Sequence, residues 1–244
     1  MTYAWMAGQH WVPELLACVP DLPGVRLLEP VTAPHLPAAV AVWCLQCDFS
    51  AGDLSSLLPR LSAVEQARCL RYRRLHDRLR FALVRIILRH LLASRLGCAA
   101  AAIDIAYSAY GKPYLPDHPH WHFNVSHSGD RALIAISQHR DVGVDIEALT
   151  SASAASDVVT AMTVQERQYC HAHGELALMQ IWSGKEAVLK AMGVGITRHF
   201  SLVSVIPLSP WQYAVSWNMD RAPLVEAWEL MAPSGFVAAL ALLA

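Results

Sequence analysis

The chain has 244 residues, of which 55% are hydrophobic and 16% charged, and its formal net charge is -1. Such a composition fills one large core or two small ones and excludes extensive disorder. The near-neutral balance creates no overall field toward nucleic acid or an anionic membrane, and no apolar run approaches the ~20 residues that span a bilayer.

Residues 1–37 are proline-rich and lack periodicity, which predicts an extended, partly ordered lead-in. Val40–Leu45 reads as the first core strand, ended by Asp48 and the Gly52-Asp53 turn. From Ser62 to Leu96 the pattern is helical. Ser62 with Glu65 forms a capping box. Leu75, Leu79, Leu83, Ile86, Ile87 and Leu91 recur at the spacing of one buried face. A second face carries Arg71, Arg74, Arg78, Arg85 and Arg89, and Gly97 supplies a stop. Ile103–Tyr107, Phe123–Gly129, Ala132–Ser137 and Val142–Glu147 then read as strands, with Gly111-Lys112-Pro113 as a turn. Residues 150–157 predict a loop. A third helical region spans Thr163–Met192, broken near Gly174 and closed by Gly193 and Gly195. Strands and turns fill Val203–Ala244, and the apolar Phe236–Ala244 predicts a buried strand. The class is α+β.

Two stretches carry candidate chemistry. Asp145 and Glu147 are two apart on a strand, so both carboxylates share one face. Paired carboxylates make a hard-oxygen site for Mg²⁺; the plain alternative is a wet strand end. Trp182, Glu186 and Lys190 fall at i, i+4 and i+8 on one helix face, where the plain alternative is a surface Glu–Lys pair. Arginine is used almost throughout for positive charge. The three lysines, Lys112, Lys185 and Lys190, mark places where a compact point charge is wanted.

Gly143-Val144-Asp145-Ile146-Glu147 and Trp182-Ser183-Gly184-Lys185-Glu186-Ala187-Val188-Leu189-Lys190 occur in order after Gly111-Lys112-Pro113 and Phe123-Asn124-Val125-Ser126-His127-Ser128. Together with the Arg-rich helix from Arg71, they make the chain resemble the Sfp-type 4′-phosphopantetheinyl transferases over residues 38–240. The resemblance implies two similar α+β halves related by a pseudo-twofold, here residues 38–140 and 141–244, with the active site between them. It implies transfer of 4′-phosphopantetheine from coenzyme A to a serine of an apo acyl or peptidyl carrier protein, with release of adenosine 3′,5′-bisphosphate. Asp145, Glu147 and Glu186 would hold Mg²⁺. Glu186 would be the base, directly or through water, with metal-bound water as the alternative base; whether metal-bound or paired with Lys190, it would be ionised near neutrality. Lys190 would contact the pyrophosphate or the attacking serine. Arg80, Lys112, Ser126, His127, Lys185 and Lys190 would bind coenzyme A, with His127 at the 3′-phosphate. Arg68 and Arg71 would add phosphate contacts.

Other constellations point elsewhere. Cys44 and Cys47 resemble a redox pair, but positions three apart in a strand face opposite ways. His118, His120 and His122 alternate as zinc ligands could, without an obvious fourth. The remaining alternatives are another Mg²⁺ phosphotransferase, which has no P-loop to support it, and a nucleic-acid binding module built on the Arg-rich helix. Six scattered cysteines and the lack of a signal segment lead to an expected cytoplasmic location. A monomer with neither nucleic acid nor membrane as partner is expected.

Overall fold

The computed structural model describes residues 19–31, 36–149, 159–195, 199–209, 211–219 and 222–244. Most of the expected lead-in and the 150–157 loop lie outside these residues.

Two antiparallel sheets carry the fold. The first comprises β1 (Val25–Pro30), β2 (Val40–Cys47), β5 (Trp121–Ser128) and β6 (Arg131–Gln138), in the order β1-β2-β6-β5. Part of the lead-in is thus an edge strand paired to β2. A small hairpin, β3 (Ala106–Tyr107) with β4 (Pro113–Tyr114), precedes β5. The second sheet comprises β7 (Val142–Ala148), β8 (Val203–Ser209), β9 (Gln212–Trp217), β10 (Val225–Leu230) and β11 (Phe236–Leu243), in the order β7-β11-β10-β9-β8.

Helices follow the first core strand of each half. The short α1 (Leu54–Leu57), α2 (Ala63–Arg71) and α3 (Leu75–Leu96) lie between β2 and β3; α4 (Val164–His173) and α5 (Glu175–Met192) lie between β7 and β8. In each half a hairpin then returns to pair with the first core strand, as β5-β6 beside β2 and β10-β11 beside β7. The predicted pseudo-twofold is this repeated topology.

One local device also repeats. Ser62 and Glu65 form a capping box at α2, and Thr163 and Glu166 form another at α4. Each buried glutamate also takes a cation from the next, longer helix. Arg89 Nε lies 2.9 Å from Glu65, and Lys185 Nζ lies 2.7 Å from Glu166. A buried carboxylate is tolerated only when paired and hydrogen-bonded, and both are.

The Arg stripe is therefore partly inward-facing. Arg85 and Arg89 are buried, Arg89 bonding Glu65 and the carbonyls of Ala100 and Ile103. The helix predicted from Ser62 to Leu96 is two helices, because Tyr72 and Arg74 are extended. Arg78 makes the break stable by donating to the carbonyls of Tyr72 and Leu70, which α2 leaves without partners.

Alternation along the strands builds the layers. Trp43, Leu45, Ile134 and Ile136 pack under α3, while Val42, Cys44, Leu133 and Ala135 face Val144, Ile146 and Leu240 of the second sheet. Ala239 and Ala241, on the far face of the second sheet, receive α5. Cys44 and Cys47 belong to different cores as free thiols, and burial raises both pKa values, that of Cys47 to about 12.

Candidate active site

Where β5 and β7 face each other, side chains replace the usual ladder. Asn124 Oδ1 accepts from Val144 N at 3.0 Å, Ser126 Oγ donates to Asp145 Oδ1 at 2.8 Å, and Ser128 Oγ donates to Glu147 Oε2 at 3.1 Å. The three donors and acceptors sit at period two, so one face of β5 stitches the halves together. The alternate residues Phe123, Val125 and His127 line a cavity of about 430 Å³, whose far wall includes Arg68, Tyr72, Phe81, Arg85 and Tyr107. Lys112 of the first half and Leu189, Lys190, Gly193 and Gly195 of the second add to the lining.

α5 crosses β7 at Gly143. A Cβ there would lie 2.0 Å from Ala187 O and 2.3 Å from Ala191 N, so only glycine lets the helix come this close. The approach brings the face of Trp182, Glu186 and Lys190 against Asp145 and Glu147. Carboxylate oxygens of Asp145, Glu147 and Glu186 lie within 4.8 Å of one another. Lys190 Nζ donates to Asp145 Oδ1 at 2.6 Å and to Ser126 Oγ at 3.0 Å, and it pairs with Glu186 Oε2 at 3.2 Å.

The electrostatics follow from this crowding. Burial and the neighbouring Asp145 charge raise the pKa of Glu186 to about 7 in spite of Lys190. In the metal-free protein pairing with Lys190 alone is thus not enough to keep Glu186 ionised well below neutrality, because desolvation and like charge outweigh one cation; the expectation for a metal-bound Glu186 concerns a different state of the site. Burial and Asp145 also raise Glu147, partly offset by hydrogen bonds from Ser128 and Trp182. For Lys190 burial works against the charge, but Asp145 and Glu186 prevail and hold its pKa above the ordinary value. Asp145 is completely buried, and its Oδ2 has no hydrogen-bond partner. Three carboxylates, one with an orphaned buried oxygen, fit a hard divalent cation that takes oxygen ligands.

The remaining predicted residues divide. His127 stands on the cavity wall, and its pKa is lowered by burial of its ring and by the Arg80 guanidinium. Arg80 braces the β5–β6 turn from beside the cavity, donating to Gly129 O at 2.7 Å and to Asp77 at 2.5 Å. Arg68 lies over the Tyr107 ring at 4.8 Å and lines the cavity; Arg71 does not. Lys185 is not brought to the cleft. It is fully buried on another face of α5, against Glu166 and 4.5 Å from the Phe200 ring centroid. Lys112 lines the cavity, but its ammonium is bonded to Asp141 and to Ala191 O. His122 bonds the same Asp141 instead of joining a histidine metal site, and the only metal-competent group among the described residues is Asp145, Glu147 and Glu186.

Arg85, Tyr107 and Asn124 were not legible as site residues. Arg85 donates to the Tyr107 hydroxyl at 3.0 Å, and its Nη1 has no partner. In sequence it is one more arginine of a stripe.

The profile of the 4′-phosphopantetheinyl transferase superfamily matches residues 141–241, and that of the 4′-phosphopantetheinyl transferase N-terminal region matches residues 49–139. The chain is 30% identical over 223 residues to the 4′-phosphopantetheinyl transferase HetI of Nostoc sp., covering 88% of this chain and 92% of that protein. The chain belongs to the 4′-phosphopantetheinyl transferase superfamily. To the Synechocystis sp. protein slr0495 the transferase is 35% identical over 182 residues, 68% of this chain and 73% of the relative. To the 4′-phosphopantetheinyl transferase Sfp of Bacillus subtilis it is 26% identical over 156 residues, 59% of this chain and 66% of the relative. The two profiles meet where β6 ends and β7 begins, so the cleft lies between the two matched regions. Among the described residues of the transferase no helix is long and apolar enough to cross a membrane.

Proposed function

We propose that this cleft transfers the 4′-phosphopantetheine group of coenzyme A to a serine hydroxyl of an apo carrier protein, with Mg²⁺ as the divalent ion. The observation that carries the reading is a cavity large enough for a nucleotide moiety, ending at Lys190 beside three converging carboxylates. Coenzyme A would lie along the wall of Arg68, Tyr107 and His127, with its pyrophosphate toward Lys190.

The serine Oγ forms a bond to the β-phosphorus. The bond from that phosphorus to the bridging oxygen breaks, and the oxygen leaves on adenosine 3′,5′-bisphosphate. The serine proton passes to Glu186, which is ionised once the divalent ion is held. Lys190 stays charged and offsets phosphate charge, while Ser126 and Asp145 hold its ammonium in place. Mg²⁺, held by Asp145, Glu147 and Glu186, would supply further charge neutralisation at the pyrophosphate. Positioning and electrostatics dominate such transfers.

The test is Glu186→Gln, which keeps the shape and removes the base. At saturating Mg²⁺, coenzyme A and carrier, kcat should fall by ~10²-fold or more. Full recovery of kcat by added Mg²⁺ alone would leave Glu186 as a metal ligand and take the proton-accepting role from it.

A further inference from the structure

Lys112 occupies the wall shared by the large cavity and a smaller one of about 250 Å³. A lysine on a cavity expected to hold a pyrophosphate and a 3′-phosphate invites assignment as a phosphate ligand. Its contacts say otherwise. Nζ lies 2.6 Å from Asp141 Oδ1 and 2.5 Å from the carbonyl oxygen of Ala191, and the side chain is only 14% exposed. An ammonium has three donors, and two are spent within the protein.

The two anchors lie on different elements of the second half. Asp141 immediately precedes β7, and its Oδ1 also faces His122 Nδ1 of β5 at 3.2 Å. Ala191 lies in the last turn of α5, next to Lys190, where backbone carbonyls have no partner within the helix. A cation there also favours the negative end of the helix dipole. The lysine stem reaches this point by crossing Gly193, the left-handed cap of α5. A Cβ on Gly193 would come within 2.9 Å of Lys112 Cδ. At its other end Lys112 belongs to a braced turn, with Ser108 N donating to Lys112 O at 2.9 Å and Lys112 N donating to Ser108 Oγ at 3.1 Å.

We propose that Lys112 is a positioning residue, a staple that ties the Gly111-Lys112-Pro113 turn of the first half to Asp141 and the end of α5 in the second. It sets the cavity wall against the helix that carries Glu186 and Lys190, and it does not contact a coenzyme A phosphate. The inference rests on the reading of the large cavity as the coenzyme A site.

The decisive variant is Asp141→Asn, which weakens the staple without touching Lys112. Calorimetric titration with coenzyme A and with dephospho-coenzyme A would compare the wild type, Lys112→Met, Asp141→Asn and the double variant, with thermal melts to establish folding. A staple predicts that each single change weakens both ligands by roughly tenfold, the effect of losing one charge-assisted contact. It also predicts that the double variant is little worse than either single one. In transfer assays the loss should appear in kcat as well as in KM for coenzyme A, because the staple also positions the helix that carries Glu186 and Lys190; a loss confined to KM would favour a phosphate ligand. If Asp141→Asn leaves coenzyme A binding unchanged or tightens it while Lys112→Met weakens it, Lys112 is a phosphate ligand and the staple is wrong. Unchanged binding in both variants also overturns it. Failure of the wild type to bind coenzyme A would instead sink the reading of the cavity itself.

Discussion

Gly143→Ala is the smallest change expected to separate the two faces of the site. The added Cβ would stand 2.0 Å from Ala187 O and 2.3 Å from Ala191 N, whereas ordinary van der Waals contact begins near 3.4 Å. Both neighbours are helix backbone, so no side chain can rotate away. α5 must retreat from β7 by on the order of 1 Å, because packed interiors transmit such strain. Overpacking of this kind costs ~1–3 kcal/mol of stability. The catalytic cost is of the same order. Glu186 and Lys190 ride on α5, and Lys190 reaches Asp145 on β7 at 2.6 Å. A 1 Å misplacement of reacting groups is worth ~10²-fold in rate. The assay is single-turnover transfer to an apo carrier at saturating Mg²⁺ and coenzyme A, with circular dichroism to show that the variant is folded. A folded Gly143→Ala enzyme with wild-type turnover would refute the claim that this close approach sets the site.

Divalent-ion affinity should rise as pH increases through about 7, because Glu186 is protonated below that value in the metal-free protein and an ion must displace the proton; calorimetry in buffers of different ionisation enthalpy would detect the released proton. His127→Ala should weaken coenzyme A by ~10- to 100-fold, the value of a charge-assisted bond, and dephospho-coenzyme A much less; equal losses would remove His127 from the 3′-phosphate. For wild type the 3′-phosphate contribution should grow as pH falls through the lowered pKa of His127, since only the imidazolium is charged. Lys185→Met strands the fully buried Glu166 and should cost ~3–5 kcal/mol in denaturant unfolding, whereas a loss confined to coenzyme A affinity would show that Lys185 reaches the ligand after all.

What sequence could convey was local. Period-two spacing alone put Asp145 and Glu147 on one face, and helical spacing put Trp182, Glu186 and Lys190 on another. Ser62 with Glu65 announced a helix start by chemistry confined to four residues, and Gly97 and Gly193 announced helix ends, both with positive φ. The failures share a different cause. Arg89, Arg85 and Lys185 look like solvent-facing charges because their partners, Glu65 and Glu166, lie 19 or more residues away. The break at Tyr72 and Arg74 contains neither Gly nor Pro. It depends on Arg78 folding back onto carbonyls of the preceding helix. The engagement of Lys112 with Ala191, 79 residues away, is likewise invisible in the Gly111-Lys112-Pro113 motif. The resemblance to a family carried the two-half arrangement, which no local pattern contains.

The most direct test of the central claim is intact-mass analysis of apo carrier proteins of the fatty acid, polyketide and nonribosomal peptide classes, incubated with purified enzyme, coenzyme A and Mg²⁺. At least one carrier should gain a single phosphopantetheine group, with one equivalent of adenosine 3′,5′-bisphosphate released, and the reaction should stop with chelator and in the Asp145→Asn variant. An unmodified set of carriers, or undiminished transfer by folded Asp145→Asn enzyme, would contradict the account.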